Sequence, residues 1–278
     1  MLRLLTIELH KLRYNKSAKV ISIVYFILIT FIALISSIEF NFGAINFRIA
    51  DQGIFNFPYI WHFNSYIAAI LKLFLAIVIV SMTANEYSNK TLKQNLIDGL
   101  SKKEFILSKF ITVVLFSLVS TLFVFGVSLI LGLIFSDYNE PGIIFSDIEY
   151  LFAYFAKLIG FFSFCLFLGI LVKRSAFALG FLLIWSISEG IIYSIFKWKI
   201  FKDTDIAESM IQFFPLTAMS NLIKEPFSRL GAVQTAANQL GEAFDKDYSV
   251  QSLTVIIVMV WTFLFIFGSY YILKRRDL

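Results

Sequence analysis

Residues 111–135, ITVVLFSLVSTLFVFGVSLILGLIF, run for 25 positions without an ionisable side chain. A bilayer core about 30 Å thick is crossed by roughly 20 apolar helical residues. In hydrocarbon a single segment satisfies its own backbone polar groups only as a helix. The stretch is therefore predicted to be a transmembrane helix. Reading outward from it, comparable apolar runs occupy residues 20–38, 64–84, 150–172, 176–196 and 252–273. The whole chain agrees, being 59% hydrophobic and 15% charged over 278 residues, against about 45–50% and about 25% in soluble domains. An all-α polytopic membrane protein with six transmembrane helices follows, in one domain covering 1–278. Six spans leave little sequence for a water-soluble catalytic domain.

The segments flanking 111–135 differ in charge. Upstream, residues 85–110 carry Lys90, Lys93, Lys102, Lys103 and Lys109; downstream, the loop holds Asp137, Glu140, Asp147 and Glu149 with no Lys or Arg. The alternation continues along the chain, with Arg3, Lys11, Arg13, Lys16 and Lys19 before the first span, Lys173 and Arg174 after the fourth, and Lys274, Arg275 and Arg276 after the sixth. Those fifteen basic residues fall on one face, so the positive-inside rule predicts that both termini are cytoplasmic, in a plasma-membrane protein. The formal net charge of +5 thus follows lipid topology, and nothing in its placement asks for nucleic acid.

Residues 1–19 carry Leu2, Leu5, Leu9 and Leu12 at spacings of three and four beside basic residues, the pattern of an amphipathic helix on a membrane surface. It reads equally as a plain anchor or as an elbow that touches a cytoplasmic partner. A signal peptide is disfavoured because 20–38 exceeds the usual apolar h-region and five more spans follow. The segment 197–250, which lands outside, is mixed in charge with an apolar patch around Phe213 and Phe214; short helices near the outer surface are expected there.

Most enzymatic chemistries lack their parts. No Gly-rich phosphate loop followed by Lys and Ser or Thr exists, nor a G-x-S-x-G turn or an H-E-x-x-H pair. The single cysteine, Cys165, permits no internal disulfide or cysteine metal cluster, and His10 and His62 fall outside the apolar runs. Catalytic, cofactor-binding and metal residues are accordingly expected to be none. Three ionisable residues do sit inside spans: Lys72, Lys157 and Glu189. Their shared depth suggests that Glu189 neutralises Lys157 or Lys72, either structurally or along a substrate path, while the lysines could also snorkel.

The cytoplasmic connection is the most informative segment. Leu92, Leu96 and Ile97 are spaced for a short amphipathic helix, Gly99 suits a left-handed end, and Ser101 with Glu104 forms a capping box for a second helix. Two short helices with a rigid corner, its apolar tip at Gly99-Leu100, are expected, either entering a groove on a soluble partner or simply joining two spans. This segment resembles the coupling region of the type-2 ABC exporter permeases: Glu86 ends the second span, Lys90-Thr91-Leu92 and Gly99-Leu100-Ser101-Lys102 follow, and Lys109 opens the third. Lys90 stands where that family more often has Gly. The resemblance extends to the N-terminal segment, through Glu8 and Lys11-Leu12, and to the six-span layout.

The resemblance implies a permease subunit of an exporter. Its partners would be a separately encoded ABC ATPase subunit, which holds the ATP, a second permease copy or homologue, and membrane lipids. Peptide antibiotics, drugs and lipid-like compounds are substrates handled by relatives of this layout. Alternatives from other classes are a membrane-embedded enzyme of lipid or prenyl metabolism, for which Asp147 and Glu149 form the close acidic pair near an interface, and an ATP-independent assembly factor.

Overall fold

The computed structural model describes residues 2–37, 39–42, 45–48, 53–202, 206–239 and 246–276. Met1, Ile38 and residues 203–205 and 240–245, which belong to the predicted N-terminal helix, first span and outer segment, lie outside them. Helix α1 (Leu2–Tyr14) gives way to α2 (Lys16–Ser37) at Asn15. The Asn15 carboxamide oxygen accepts the Ala18 amide at 3.1 Å, capping the orphan donors of α2. A short antiparallel hairpin, β1 (Glu39–Phe42) and β2 (Ile45–Arg48), departs from the otherwise helical fold. Then come α3 (Tyr59–Ser88), α4 (Thr91–Ile97), α5 (Lys102–Phe135), α6 (Pro141–Ile144), α7 (Glu149–Val172) and α8 (Ser175–Ile195). A π-helical turn, Phe196–Ile200, extends α8. After it lie α9 (Ile206–Ile211), α10 (Pro215–Asn221), a 3₁₀ turn Phe227–Arg229, α11 (Gly231–Gln239) and α12 (Ser252–Arg275).

Six of these helices, α2, α3, α5, α7, α8 and α12, are long and apolar enough to cross a membrane. They match the six expected spans to within a residue at the end of α2 and of α8, but two are longer than expected. With 30 residues in α3 and 34 in α5, their lengths are about 45 and 51 Å at 1.5 Å per residue. Both outrun a hydrocarbon core of about 30 Å, and their surplus turns carry the candidate site.

Helix α7 is the central post, packed against α3, α5, α8, α10 and α12. Tyr154, Leu158, Phe162, Phe164, Cys165, Leu166, Leu168 and Ile170 on it are wholly buried. Lipid tails are as apolar as leucine, so this packing draws on close fit and polar cross-links more than on water exclusion. Gly160 supplies the fit against α12, since a Cβ there would lie 2.8 Å from Val258 Cγ1. A polar cross-link joins three spans: the hydroxyls of Tyr25, Ser120 and Tyr154 form a closed ring with separations of 2.5, 2.6 and 2.8 Å. Around the ring each hydroxyl can donate once and accept once, which leaves none of the three unpaired.

The ends of α5, α7 and α12 bring basic residues together at one end of the molecule. Arg276 donates to the carbonyls of Ile170 and Leu171 at the end of α7. Lys102, in the first turn of α5, donates to the Arg276 carbonyl at 2.8 Å and to that of Lys274 at 3.3 Å. At the opposite end, His62 lies in the first turn of α3, buried and stacked at 4.1 Å on Tyr150, rather than outside the apolar helix as the sequence suggested. Its Nε2 pairs with the Lys224 carbonyl at 2.9 Å.

Candidate functional site

At the basic end, four charged side chains from three helices meet. Lys109, two turns into α5, is wholly buried and places its ammonium 2.7 Å from Glu8 Oε2 and 2.8 Å from Glu86 Oε1. Lys11 donates to Glu86 Oε1 at 2.7 Å and lies 3.6 Å from Glu8 Oε1. Two ammoniums face two carboxylates, so the node is neutral. Desolvating each ion costs several kcal/mol, offset only by near-ideal geometry and extra hydrogen bonds. Helix α4 supplies those: the Thr91 hydroxyl donates to Glu86 Oε2 at 2.6 Å and the Asn95 amide at 3.4 Å. The Phe105 ring, 5.2 Å from the Lys109 ammonium, covers one side. Partial burial pulls the Lys11 pKa down, but its hydrogen bond to Glu86 and the charges of Glu8 and Glu86 outweigh that and raise it.

The node sets the roll of α1. The leucine spacing had suggested that Leu2, Leu5, Leu9 and Leu12 form the apolar stripe. Instead Leu4 and Glu8 are buried, Leu12 packs against the core, and Leu9 is exposed. A buried Lys109 without Glu8 would lose an ion partner, whereas an exposed Leu9 loses only apolar contact.

The corner between α3 and α5 follows the sequence reading in part. Lys90 takes a left-handed φ of 58° and Gly99 one of 95°. The Gly99 amide donates to the Leu96 carbonyl at 3.2 Å as α4 ends. Ser101 and Glu104 form the capping box, the Glu104 amide donating to Ser101 Oγ at 3.1 Å and the Ser101 amide to Glu104 Oε2 at 2.9 Å. Two expectations change. The second short helix is the first turns of α5, continuous with the third span. The apolar tip is Ile97, 75% exposed, while Leu92 is buried and Leu100 packs against the core. Clefts of about 330 and 220 Å³ open on either side of the node, the first beside Asn15, Asn85 and Thr91, the second beside Arg3, Asp98 and Leu100.

The three intramembrane charges are arranged differently from the expected ion pair. Glu189 accepts only neutral donors among the described residues: Trp185 Nε1 at 2.9 Å, the Leu216 and Thr217 amides at 3.1 and 2.8 Å, and the Thr217 hydroxyl at 2.9 Å. The amides belong to the first turn of α10. At its other end Lys157 donates to the Ser220 carbonyl at 3.4 Å. Glu189 and Lys157 thus bracket one short helix, acid at its N-terminus and base at its C-terminus, as the helix dipole favours. Their charges meet through α10 rather than directly. Lys157 is 4% exposed and does not snorkel. Lys72 sits 4.7 Å above the Phe161 ring, a cation–π contact.

The bracket also revises the segment 197–250. Its apolar middle, expected near the outer surface, enters the bundle as α10 and packs on α7, α8 and α12. The signal was in the sequence: Glu189 needed donors, and Phe214-Pro215-Leu216 is an apolar helix start. The acidic pair proposed for an enzyme is otherwise engaged. Asp147 lies 3.9 Å from Arg229, and Glu149 accepts the Val250 amide at 3.5 Å.

Residues 4–197 match the family model described as ABC-2 family transporter protein. The match covers α1 to α8 and therefore every charge of the node. No curated protein matches the chain significantly.

Proposed function

This chain belongs to the ABC-2 family of transporter proteins, and on that premise we propose that it is the permease subunit of an exporter driven by a separately encoded ATPase subunit. The basic end would face the cytoplasm at the plasma membrane, and a second copy or homologue would complete the pathway. The observation that carries the reading is Lys109, wholly buried between Glu8 and Glu86. Those two ion pairs join α1, α3 and α5 at the point where α4 projects. Thr91 and Asn95 connect α4 to the same carboxylate. A push on α4 from an ATPase would reach Glu86 directly, and α5, one helix from Lys102 to Phe135, would carry it across the membrane. In this reading α1 is the elbow and α4 with the start of α5 the coupling element. Glu8, Lys11, Glu86, Thr91 and Lys109 form the joint, and Leu12, Leu92, Gly99, Leu100, Ser101 and Lys102 shape and seat it.

Ile97 is the tip that would meet the ATPase, and its exposure makes it the position to test. Ile97→Asp puts an unpaired charge into an apolar contact, at a desolvation cost of roughly 1–3 kcal/mol or more. Because Ile97 touches no core, the permease should reach the membrane at normal levels. Co-purification of the ATPase and substrate-stimulated ATP hydrolysis should both fall at least about tenfold. An Ile97→Asp protein that holds its ATPase and transports normally removes the coupling role, and the assembly-factor reading then takes precedence.

A further inference from the structure

At the end of α3 opposite the basic one, His62 is wholly buried and both of its ring nitrogens are engaged. Nε2 lies 2.9 Å from the Lys224 carbonyl, which can only accept, so Nε2 carries the hydrogen. Nδ1 lies 3.1 Å from an Arg229 guanidinium nitrogen, which can only donate, so Nδ1 keeps its lone pair. The two contacts fix one tautomer of the neutral ring. They also tie the chain before α11 to the ends of α3 and α7. Arg229 closes the 3₁₀ turn Phe227–Arg229, rests against the Tyr59 and Tyr248 rings at 5.2 and 5.5 Å, and donates to the Tyr150 hydroxyl at 3.4 Å.

We propose that His62 is an acid-released latch: neutral, it holds Lys224 and Arg229 over the ends of α3 and α7 that face the outer medium, and a proton on Nδ1 lets the 3₁₀ turn lift. The latch stands apart from the permease reading, from which it takes only the side of the membrane. A protonated Nδ1 loses its acceptor and places a second cation at hydrogen-bond distance from the guanidinium. The surrounding charges do not absorb it. Lys157 of α7 adds a further positive charge near the ring, and the Lys224 ammonium donates to the Asp247 carbonyl. The facing hydroxyls of Tyr59, Tyr150 and Tyr248 are neutral. Among the acids, Asp147 lies 3.9 Å from Arg229, Glu225 accepts the Ser228 amide at 3.2 Å and pairs with Lys246 at 2.9 Å, and Asp247 accepts the Ser249 amide at 2.9 Å. Burial raises the Glu225 carboxyl, but its bonds to Ser228 and Lys246 outweigh that and hold it below its ordinary range; hydrogen bonds from Ser249 lower Asp247. Because His62 is wholly buried, the proton enters when the turn lifts and then traps it open. A water-exposed imidazole binds a proton near pH 6.5, so the closed turn is favoured above that pH and each unit below it raises the open fraction about tenfold. Between pH 7.5 and pH 5 the change is about thirtyfold.

The test is hydrogen exchange read by mass spectrometry on the purified full chain in phosphatidylcholine nanodiscs, without an ATPase, where both faces meet the same buffer. The Arg229 and Leu230 amides donate to the carbonyls of Pro226 and Phe227 within the turn. Their protection, corrected with an unstructured peptide of the same sequence, reads the open fraction. In the parent it should fall about thirtyfold from pH 7.5 to pH 5 while that of α7 stays constant. His62→Gln keeps one donor and one acceptor but takes no proton, so its turn should be equally protected at both pH values. Arg229→Gln offers an amide that can turn to accept from a protonated ring, and it too should lose most of the pH response. Parental protection of α7 shows that a variant is folded. An unchanged parent, or the same fall in a folded variant of either kind, overturns the latch.

Discussion

A single ammonium, that of Lys109, decides how α1 is rolled and where α3 and α5 meet. The half-buried Lys11 shares its carboxylates, and the two lysines give a contrast that tests the account. Lys109→Met leaves Glu8 and Glu86 buried near one another with only Lys11 to balance them, which should destabilise the bundle by about 3–5 kcal/mol. Lys11 is 36% exposed, so Lys11→Met should cost about 1 kcal/mol or less. Thermal unfolding in detergent measures both, and equal losses would show that burial does not govern the node. The sequence named Glu8, Lys11, Glu86 and Lys109 as candidates but not their convergence. Contact between residues 101 positions apart, as Lys109 and Glu8 are, depends on helix roll and crossing. One-dimensional periodicity carries neither. The leucine spacing even misdirected the roll of α1, because it weighed apolar faces and gave no weight to a buried lysine's need for acids.

Local signals fared better where an element's end is set by its own residues. The Ser101 and Glu104 capping box and the left-handed Gly99 were legible because each involves neighbours within four residues. Ser101→Ala removes the acceptor for the Glu104 amide and should cost about 1 kcal/mol. The loss should appear as faster amide exchange over residues 101–106 while the apolar part of α5 stays protected. Uniform loosening along the whole of α5 would instead mean that the cap organises the bundle. Helix α10 was not legible as a bundle element. Its seven residues are too few for a periodic signal and for independent stability, and its ends are satisfied by Glu189 and Lys157 from other helices. Those two charges had been matched to one another by depth alone. The helix between them meets both needs through backbone groups, which a list of ionisable residues does not contain.

At the scale of the molecule, the count and order of spans were readable because hydrocarbon thickness sets a length that any apolar run must meet. The grouping of basic residues at one end is borne out in contacts: Lys102 reaches the end of α12, Arg276 the end of α7, and Lys173 sits 5.8 Å over Tyr87 of α3. The positive-inside rule predicts that this end faces the cytoplasm. Ser101 at the basic end and Asn139 in the loop after α5 are both exposed, and α5 between them is about 51 Å long. Cys165 is wholly buried, so replacing it by Ala removes the native thiol with the loss of one sulfur atom from the core. In that background, Ser101→Cys and Asn139→Cys should react with an impermeant maleimide from opposite sides, Asn139→Cys in intact cells and Ser101→Cys only after the membrane is opened. The reverse order would invert the molecule and put the node beyond the reach of any cytoplasmic ATPase. Labelling of both from one side would break the six-span fold itself, because residues 111–135 of that helix, which carry no ionisable side chain, would then have to begin and end on the same face of the membrane.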